Sequence, residues 1–215
     1  MPRSIRPSSL PKPAPIRDRP ESRRDGTRKK LVKAARKLFL VNNYFDVSID
    51  EIVKEAGLSR ATFYLHYPTR DAMIGDVVRH GLVGVDAFYR QLQGGPLPTK
   101  AQLREFIIYR VEATRKARRA IMLHYQAASY HPEIWPIILA TRDRHMSILS
   151  ETIPAFEIDA KAPTNARRQR SAAHLLLIQL EQIAHWATFA PELTDIEGQI
   201  DVLVDSFVDF IRTYS

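Results

Sequence analysis

The stretch GLSRATFYLHYPTR, residues 57–70, decides the fold. Gly57 permits a tight turn, and Ser59 is a residue type that commonly caps the start of a helix. The residues from Ser59 to Tyr67 include hydroxyls, aromatic rings and charges where a buried helix would carry Leu, Ile, Val and Ala. At 100° per residue, Phe63 and Tyr67 fall on the same face. We therefore predict a short helix with an aromatic inward face and a polar outward face.

The residues before this stretch predict two further helices. From Thr27 to about Asn42, apolar residues recur at helical spacing, with basic residues on the other faces. The sequence Ser48-Ile49-Asp50-Glu51 is an S-x-x-E capping box, which marks the start of a second short helix. Three short helices, with a glycine between the second and the third, predict a helix-turn-helix over residues 48–67.

The outward face of the third helix suits the contacts that proteins make with DNA. Ala61 allows a close approach, Thr62 can hydrogen-bond base edges, and Leu65 can meet a thymine methyl group. The remaining candidates can reach phosphates, through side chains or helix N-termini: Ser48, Ser59, Arg60, Tyr64, His66 and Arg70. Plain helix capping by the two serines and a solvated role for Arg60 stay open from the residues alone.

The segment from Thr27 to Ile74 resembles the N-terminal DNA-binding domain of the TetR/AcrR family of bacterial transcriptional regulators. The resemblance rests on AARKLF, residues 34–39, and on SIDEIVKEAGLSRATFYLHYPTRDAMI, residues 48–74. Tyr67 replaces the commoner Phe of the family, and Arg70 replaces the usual Lys. The resemblance implies that the outward-facing residues named above contact DNA. It also implies a dimer formed through the last two helices and an effector pocket in the larger C-terminal domain.

The distribution of charge agrees with a polyanionic partner for the N-terminal third. The net charge is +8 over 215 residues, yet residues 1–70 hold 16 basic and 7 acidic residues, a balance of +9. Residues 1–24 combine six prolines with seven basic residues, so we predict a disordered basic arm. A DNA-binding arm and a plain solubilising tail are both open for it.

Several function classes are disfavoured by the sequence. There is no cysteine, so disulfides and thiolate ligands are excluded. The histidines lack tight metal-ligand spacing, and no phosphate-binding or nucleophile motif is present. We therefore expect no metal, no cofactor and no enzymatic activity. The absence of a long apolar run and of a signal-peptide pattern predicts no membrane association and a cytoplasmic location, and the family resemblance implies a bacterial protein.

The remainder of the chain predicts more helices. The first runs from Thr69 to about Gln93, and five others cover roughly 100–118, 119–130, 132–152, 165–190 and 195–213. Three glycines in the first of these helices suit either bending or close helix packing: Gly75, Gly81 and Gly84. The last two helices are rich in apolar residues and predict a four-helix dimer interface, with a monomeric core as the alternative.

An effector pocket would be lined by aromatic and polar residues of this larger half. The candidates are Phe106, Tyr109, Tyr125, Trp135, His145, His174, Gln179 and Trp186. Each of them is also a plausible ordinary core residue. The effector that such a pocket implies is small and apolar or aromatic.

These observations predict an all-α protein with three parts. They are the arm at 1–24, a helix-turn-helix DNA-binding domain at 25–75, and a helical effector-binding and dimerisation domain at 76–215. The predicted function is a dimeric repressor that a small molecule releases from a palindromic operator in double-stranded DNA. Two alternatives remain: a DNA-binding dimer without an effector, and a helical lipid- or drug-binding module with an incidental helix-turn-helix.

Overall fold

The computed structural model describes residues 23–157 and 164–215, and every regular element in these ranges is helical. The predicted all-α class is therefore confirmed. The predicted arm, residues 1–24, lies outside the described residues except for its last two positions.

The first four helices build the N-terminal unit, which we call the head, residues 23–82. They are α1 (Arg23–Val41), α2 (Ile49–Ala56), α3 (Arg60–Tyr64) and α4 (Ile74–Leu82). The capping box at the start of α2 is present: the Ser48 hydroxyl accepts a hydrogen bond from the Glu51 amide, and the Glu51 carboxylate accepts one from the Ser48 amide. Gly57 ends α2 in the left-handed region, at φ 65°. The α1 helix begins four residues before the predicted start at Thr27.

The remaining helices form the body, residues 83–215. They are α5 (Asp86–Tyr89), α6 (Lys100–Lys116), α7 (Arg118–Tyr130), α8 (Ile134–Ser150), α9 (Thr164–Phe189) and α10 (Ile196–Tyr214). The single helix predicted from Thr69 to Gln93 is wrong in detail, because 3₁₀ turns at Val83–Val85 and Arg90–Leu92 interrupt it. The first interruption has a physical cause in the sequence Val-Gly-Val, since β-branched residues and glycine are poor helix formers.

Two hydrophobic cores hold the molecule together. The body core lies between α5, α6, α8, α9 and α10 and includes Phe106, Leu177 and Phe207. The head core centres on Leu31 and Phe63 and continues into α7 and α8. These helices contribute Leu123, Ala127, Ala128 and Ile134 to the head core. The domain boundary predicted at residue 75 therefore does not coincide with a gap in the packing.

Residues 81–85, which we call the connecting segment, join the head to the body, and their two glycines serve different purposes. A Cβ atom on Gly81 would lie 2.8 Å from Nε2 of His124, so this glycine lets α4 approach α7 closely. A Cβ atom on Gly84 would meet nothing within 4 Å, and this glycine lies in the 3₁₀ turn that interrupts the helix. Gly81 thus allows close packing, and Gly84 lies where the helix is interrupted.

Candidate DNA-binding surface and ligand cavity

The α3 helix is held against the head by its aromatic face and capped by Ser59. The hydroxyl of Ser59 accepts a hydrogen bond from the Thr62 amide and lies 2.9 Å from the Thr62 hydroxyl. Phe63 and Tyr67 are buried, as the helical wheel predicted. The regular helix ends at Tyr64, and a turn through Leu65 replaces the predicted last helical residues.

The opposite face of α3 is open to solvent. Leu65 is 73% exposed and Tyr64 is 48% exposed. Ala61 is exposed beside them, whereas Thr62 and His66 are partly buried. The structure therefore brings the predicted contact residues of α3 to one surface, which we call the reading face: Ser59, Arg60, Ala61, Thr62, Tyr64, Leu65 and His66.

Arg60 is engaged within the head. Its Nη1 donates to both carboxylate oxygens of Asp50 on α2, at 3.0 and 2.8 Å. Both side chains are more than half exposed. Because an exposed ion pair is weak, this pair can exchange Asp50 for a phosphate or a base edge at little cost.

Arg70 has internal partners that the sequence did not reveal. Its Nη1 donates to the carbonyl oxygens of Tyr44, Phe45 and Val47 at 3.1, 2.9 and 3.0 Å. Its Nε and Nη2 donate to Asp71, and the guanidinium lies 4.6 Å from the centre of the Tyr44 ring. These contacts close the loop between α1 and α2. They favour a positioning role for Arg70 over the predicted phosphate contact.

A second network ties the reading face to the rest of the head. The Tyr67 hydroxyl donates to Asp76 at 2.6 Å, and Arg28 Nε donates to the same carboxylate at 2.7 Å. Burial acts to raise the pKa of Asp76, but the hydrogen bonds from Tyr67 and Arg28 outweigh it, so the pKa lies below its ordinary value. The carboxylate is therefore ionised at neutral pH and fixes the α3 end against α4.

The body contains a cavity of about 130 Å³ next to the head. Three of the predicted pocket residues line it: Tyr125, Trp135 and His145. Five of the twelve other lining residues are apolar: Leu82, Val85, Ile121, Ala128 and Ile138. Since Leu82 ends α4 and Val85 belongs to the following turn, the connecting segment forms part of the wall.

The other five predicted pocket residues lie elsewhere. Phe106 is buried in the body core against Phe88, and Tyr109 is 46% exposed. His174 lies 3.0 Å from Asp143, away from this cavity. Gln179 and Trp186 line a shallow surface depression between α9 and α10. Aromatic character alone did not reveal which helix faces turn toward the cavity.

Several polar cavity residues were missed by the sequence analysis. Arg142 donates to Glu181 through both Nε and Nη2, and Arg110 and Thr114 project from α6. A signal for Arg110 existed: it lies four residues after Phe106 and three after Ile107, on the apolar face of α6. A charged residue at such a position is a candidate for a buried site.

The cavity histidines are held neutral. Burial, together with smaller contributions from the nearby Arg36 and Arg110, lowers the pKa of His124 to about 4. Burial likewise lowers the pKa of His145 to about 3, although Asp86 acts in the opposite direction. At neutral pH these imidazoles contribute hydrogen-bonding groups to the cavity without adding positive charge.

Two other kinds of site are absent from the described ranges. Within residues 23–157 and 164–215, no three His, Asp or Glu side chains are grouped as metal ligands. No helix within the same ranges has the length and apolar character to cross a membrane.

The head is thus a helix-turn-helix unit with an exposed reading face, joined to a helical body that holds a cavity. Comparisons with known proteins agree with this class. The family model described as bacterial regulatory proteins, tetR family, matches residues 31–77. The family model covers only residues of the head, and together with the relatives and solved structures below it supports a TetR-family transcriptional regulator. Members of this family are regulators rather than enzymes, in agreement with the predicted function class.

Individual relatives share only part of the chain or a low identity. The HTH-type transcriptional regulator YdgC of Bacillus subtilis is 36% identical over 52 residues, which cover 24% of this chain and 27% of YdgC. The HTH-type transcriptional regulator EthR of Mycolicibacterium smegmatis is 22% identical over 159 residues, or 60% of this chain and 65% of EthR. The match thus spans less than two thirds of either curated relative.

Solved structures share the fold over most of the chain. A tetR-family transcriptional regulator from Streptomyces coelicolor superposes with a TM-score of 0.63 and 15% identity, covering 88% of this chain and 82% of that one. A transcriptional regulator from Rhodococcus sp. RHA1 gives a TM-score of 0.59 and 19% identity, covering 85% and 96%. At these identities the likeness establishes the arrangement of helices.

Proposed function

We propose that this protein is a homodimeric repressor that binds a palindromic operator through its reading face and is released by a small molecule bound in the cavity. The observation that carries the proposal is the exposure of Ala61, Tyr64 and Leu65 on a capped helix whose other face is fixed in the head core. A helix with such a face fits the major groove, where small and apolar groups meet bases and hydroxyls meet phosphates.

The contact set that we propose is the reading face together with Ser48. Ser48 caps α2 and is exposed at the N-terminus of that helix, where it would face a phosphate. Arg60 would leave Asp50 for the DNA. Arg70 would act indirectly, because it shapes the loop before α2.

Dimerisation is supported by apolar side chains that α9 and α10 leave exposed. Leu175, Ile178 and Trp186 lie on one face of α9 and are 58, 38 and 39% exposed. Val202 of α10 is 68% exposed and lies beside Trp186 at the same surface depression. A second copy packed there would bury these side chains and present two reading faces to one duplex.

Coupling between cavity and reading face is supported by their shared structural elements. Leu82 and Val85 contribute to the cavity wall, and α4 carries the Asp76 that binds Tyr67 beside the reading face. The helices α7 and α8 pack in the head core and also line the cavity. A ligand that moves these helices would therefore shift the two reading faces of a dimer relative to each other.

The proposal is tested by selecting DNA from a random pool with the purified protein. We expect a palindromic sequence, and affinity that falls steeply with salt, because phosphate contacts release counterions. Enrichment of no sequence at all would support the alternative of an architectural DNA-binding dimer and refute a specific operator.

Matched variants test the two surfaces separately. We expect Tyr64→Ala to abolish operator binding and Tyr109→Ala, on the body and similarly exposed, to preserve it. We expect Ile178→Glu to give monomers in sedimentation, whereas Leu139→Glu, on the exposed side of α8, leaves the dimer intact. Wild-type operator binding by Tyr64→Ala would contradict the assigned reading face.

A further inference from the structure

Arg110 stands in the cavity wall as a buried cation without a counterion. The residue is only 9% exposed, and its Nε has no hydrogen-bond partner among the described residues. Within the same part of the chain, no carboxylate lies at ion-pair distance from its guanidinium. The guanidinium lies over the face of the Phe88 ring, whose centre is 5.4 Å from the guanidinium carbon.

The carboxylates around the cavity are already engaged. Glu181 accepts hydrogen bonds from Arg142 Nε at 3.1 and 3.2 Å and from Arg142 Nη2 at 2.6 Å. Asp86 pairs with Arg144 at 2.9 Å. The cavity wall therefore contains two arginines and one carboxylate, and because Glu181 pairs with Arg142, the unmatched positive charge belongs to Arg110.

A second polar group in the same wall also lacks a partner. The hydroxyl of Thr114, one helical turn after Arg110 on α6, is buried without a hydrogen bond within the described ranges. Thr141 differs, because its hydroxyl donates to the carbonyl oxygen of Ile137 in its own helix. Arg110 and Thr114 thus place an unpaired cation and an unpaired hydroxyl side by side, inside walls that are otherwise mostly apolar.

A buried charge without a partner is costly, and a group of opposite charge that enters the cavity removes that cost. We propose that the cavity binds an organic monocarboxylate with an apolar body, its carboxylate held by Arg110 and Thr114. This inference rests on the proposed role of the cavity as the effector site and adds the chemical class of the effector. A guanidinium offers paired donors in the geometry that a carboxylate accepts.

The selectivity for a single negative charge follows from the surrounding groups. His124 and His145 are neutral at pH 7, and Arg142 is occupied by Glu181. A second carboxylate on the ligand would therefore lie near Glu181 without a cation of its own. The apolar body would pack against Leu82 and Trp135.

The test compares carboxylates with their uncharged amides. Benzoate, cinnamate and octanoate, each beside its amide, are titrated into the full-length protein at pH 7 and followed by calorimetry. We expect at least one carboxylate to bind about 10- to 100-fold more tightly than its amide, the range for a hydrogen-bonded charge. Equal affinity within every pair, or no binding of any carboxylate at millimolar concentration, would overturn the proposal.

Variants assign the preference to Arg110. Arg110→Met should remove the carboxylate preference, whereas Arg119→Met, an exposed arginine of α7, should retain it. The melting temperature of Arg110→Met without ligand should equal or exceed that of the wild type, because an uncompensated charge is removed. A melting temperature as low as that of Arg142→Met, which breaks a buried pair, would show a structural role and overturn the proposal.

These titrations contain no DNA, so they separate the two proposals. Carboxylate binding by a protein that selects no operator would refute the proposed function but retain the ligand class. Selective operator binding without a carboxylate preference would refute the ligand class alone.

Discussion

The buried hydroxyls of the head have hydrogen-bond partners, whereas three buried polar groups in and near the cavity have none among the described residues. In the head, the hydroxyls of Tyr44 and Tyr67 donate to Asp71 and Asp76 at 2.7 and 2.6 Å. In the body, the hydroxyl of Tyr89 is fully buried without a hydrogen-bond partner within the described ranges, and Arg110 and Thr114 nearby are also unpaired. A polar network in which every group is hydrogen-bonded stabilises one fixed arrangement. An unpaired buried group costs free energy, and a bound molecule that pairs with it removes that cost. The paired groups thus make the head rigid, and the unpaired groups favour binding of a ligand in the cavity.

The largest expected effect concerns the acid sensitivity of the cavity. The pKa of His124 is about 4 in the folded protein and about 6.5 when unfolded, so the unfolded chain binds a proton first as the pH falls. Stability should therefore decrease between pH 6.5 and pH 4, by about 3 kcal/mol from this residue. Urea denaturation across this pH range measures the loss.

Two variants isolate the histidine responsible. His124→Gln should flatten the decrease between pH 6.5 and 4, although His145 will still contribute because its pKa is also lowered. His80→Gln, at an exposed position of the head, should leave the decrease unchanged. The same pH dependence in His124→Gln as in the wild type would show that this imidazole is not held neutral by the cavity.

In the head, loss of Arg70 should be the most damaging substitution considered. Arg70→Met removes three hydrogen bonds to the loop between α1 and α2, and we expect a loss of about 2–3 kcal/mol in the free energy of unfolding. Arg79→Met removes only a surface pair with Asp76 and should cost less than about 1 kcal/mol. Comparable stability of the two variants would contradict the positioning role of Arg70.

A pair of identical substitutions compares the two regions directly. Tyr67→Phe removes a hydroxyl with two partners, so we expect a loss of about 1–2 kcal/mol. Tyr89→Phe removes a hydroxyl with no partner among the described residues, so stability should be unchanged or slightly higher. Both rings are buried and stay in place, so chemical denaturation reports the hydroxyl alone. Equal losses of stability in the two variants would contradict the difference in hydrogen bonding between the head and the body.

The sequence predicted the local features of the head because they depend on neighbouring residues. The capping box of Ser48 and the inward face of Phe63 and Tyr67 follow from spacing, and the structure contains both. The partners of Arg70 lie 23 to 26 residues earlier in the chain. Only the tertiary fold brings those carbonyls to its guanidinium, so the sequence could not reveal them, and the phosphate contact of Arg70 stays a prediction.

The cavity was harder to predict because its lining depends on how several helices rotate against each other. Trp135 and Trp186 are similar residues in similar helices, yet only the first faces the cavity. The more informative signal was charge within an apolar face, as at Arg110. A buried charge has few acceptable surroundings, whereas an aromatic ring fits any core.

The smallest expected effects test the segment that joins the two regions. Gly84→Ala should raise stability by about 0.5 kcal/mol, because the added methyl group meets nothing within 4 Å and the unfolded chain loses freedom. Gly81→Ala places a methyl group 2.8 Å from His124, so stability should fall, by about 1 kcal/mol, as α4 and α7 separate. Thermal denaturation measures whether each variant is more or less stable than the wild type. A stabilising Gly81→Ala would mean that α4 and His124 can move apart without loss of stability. The close approach at Gly81 would then not fix the cavity wall to the head.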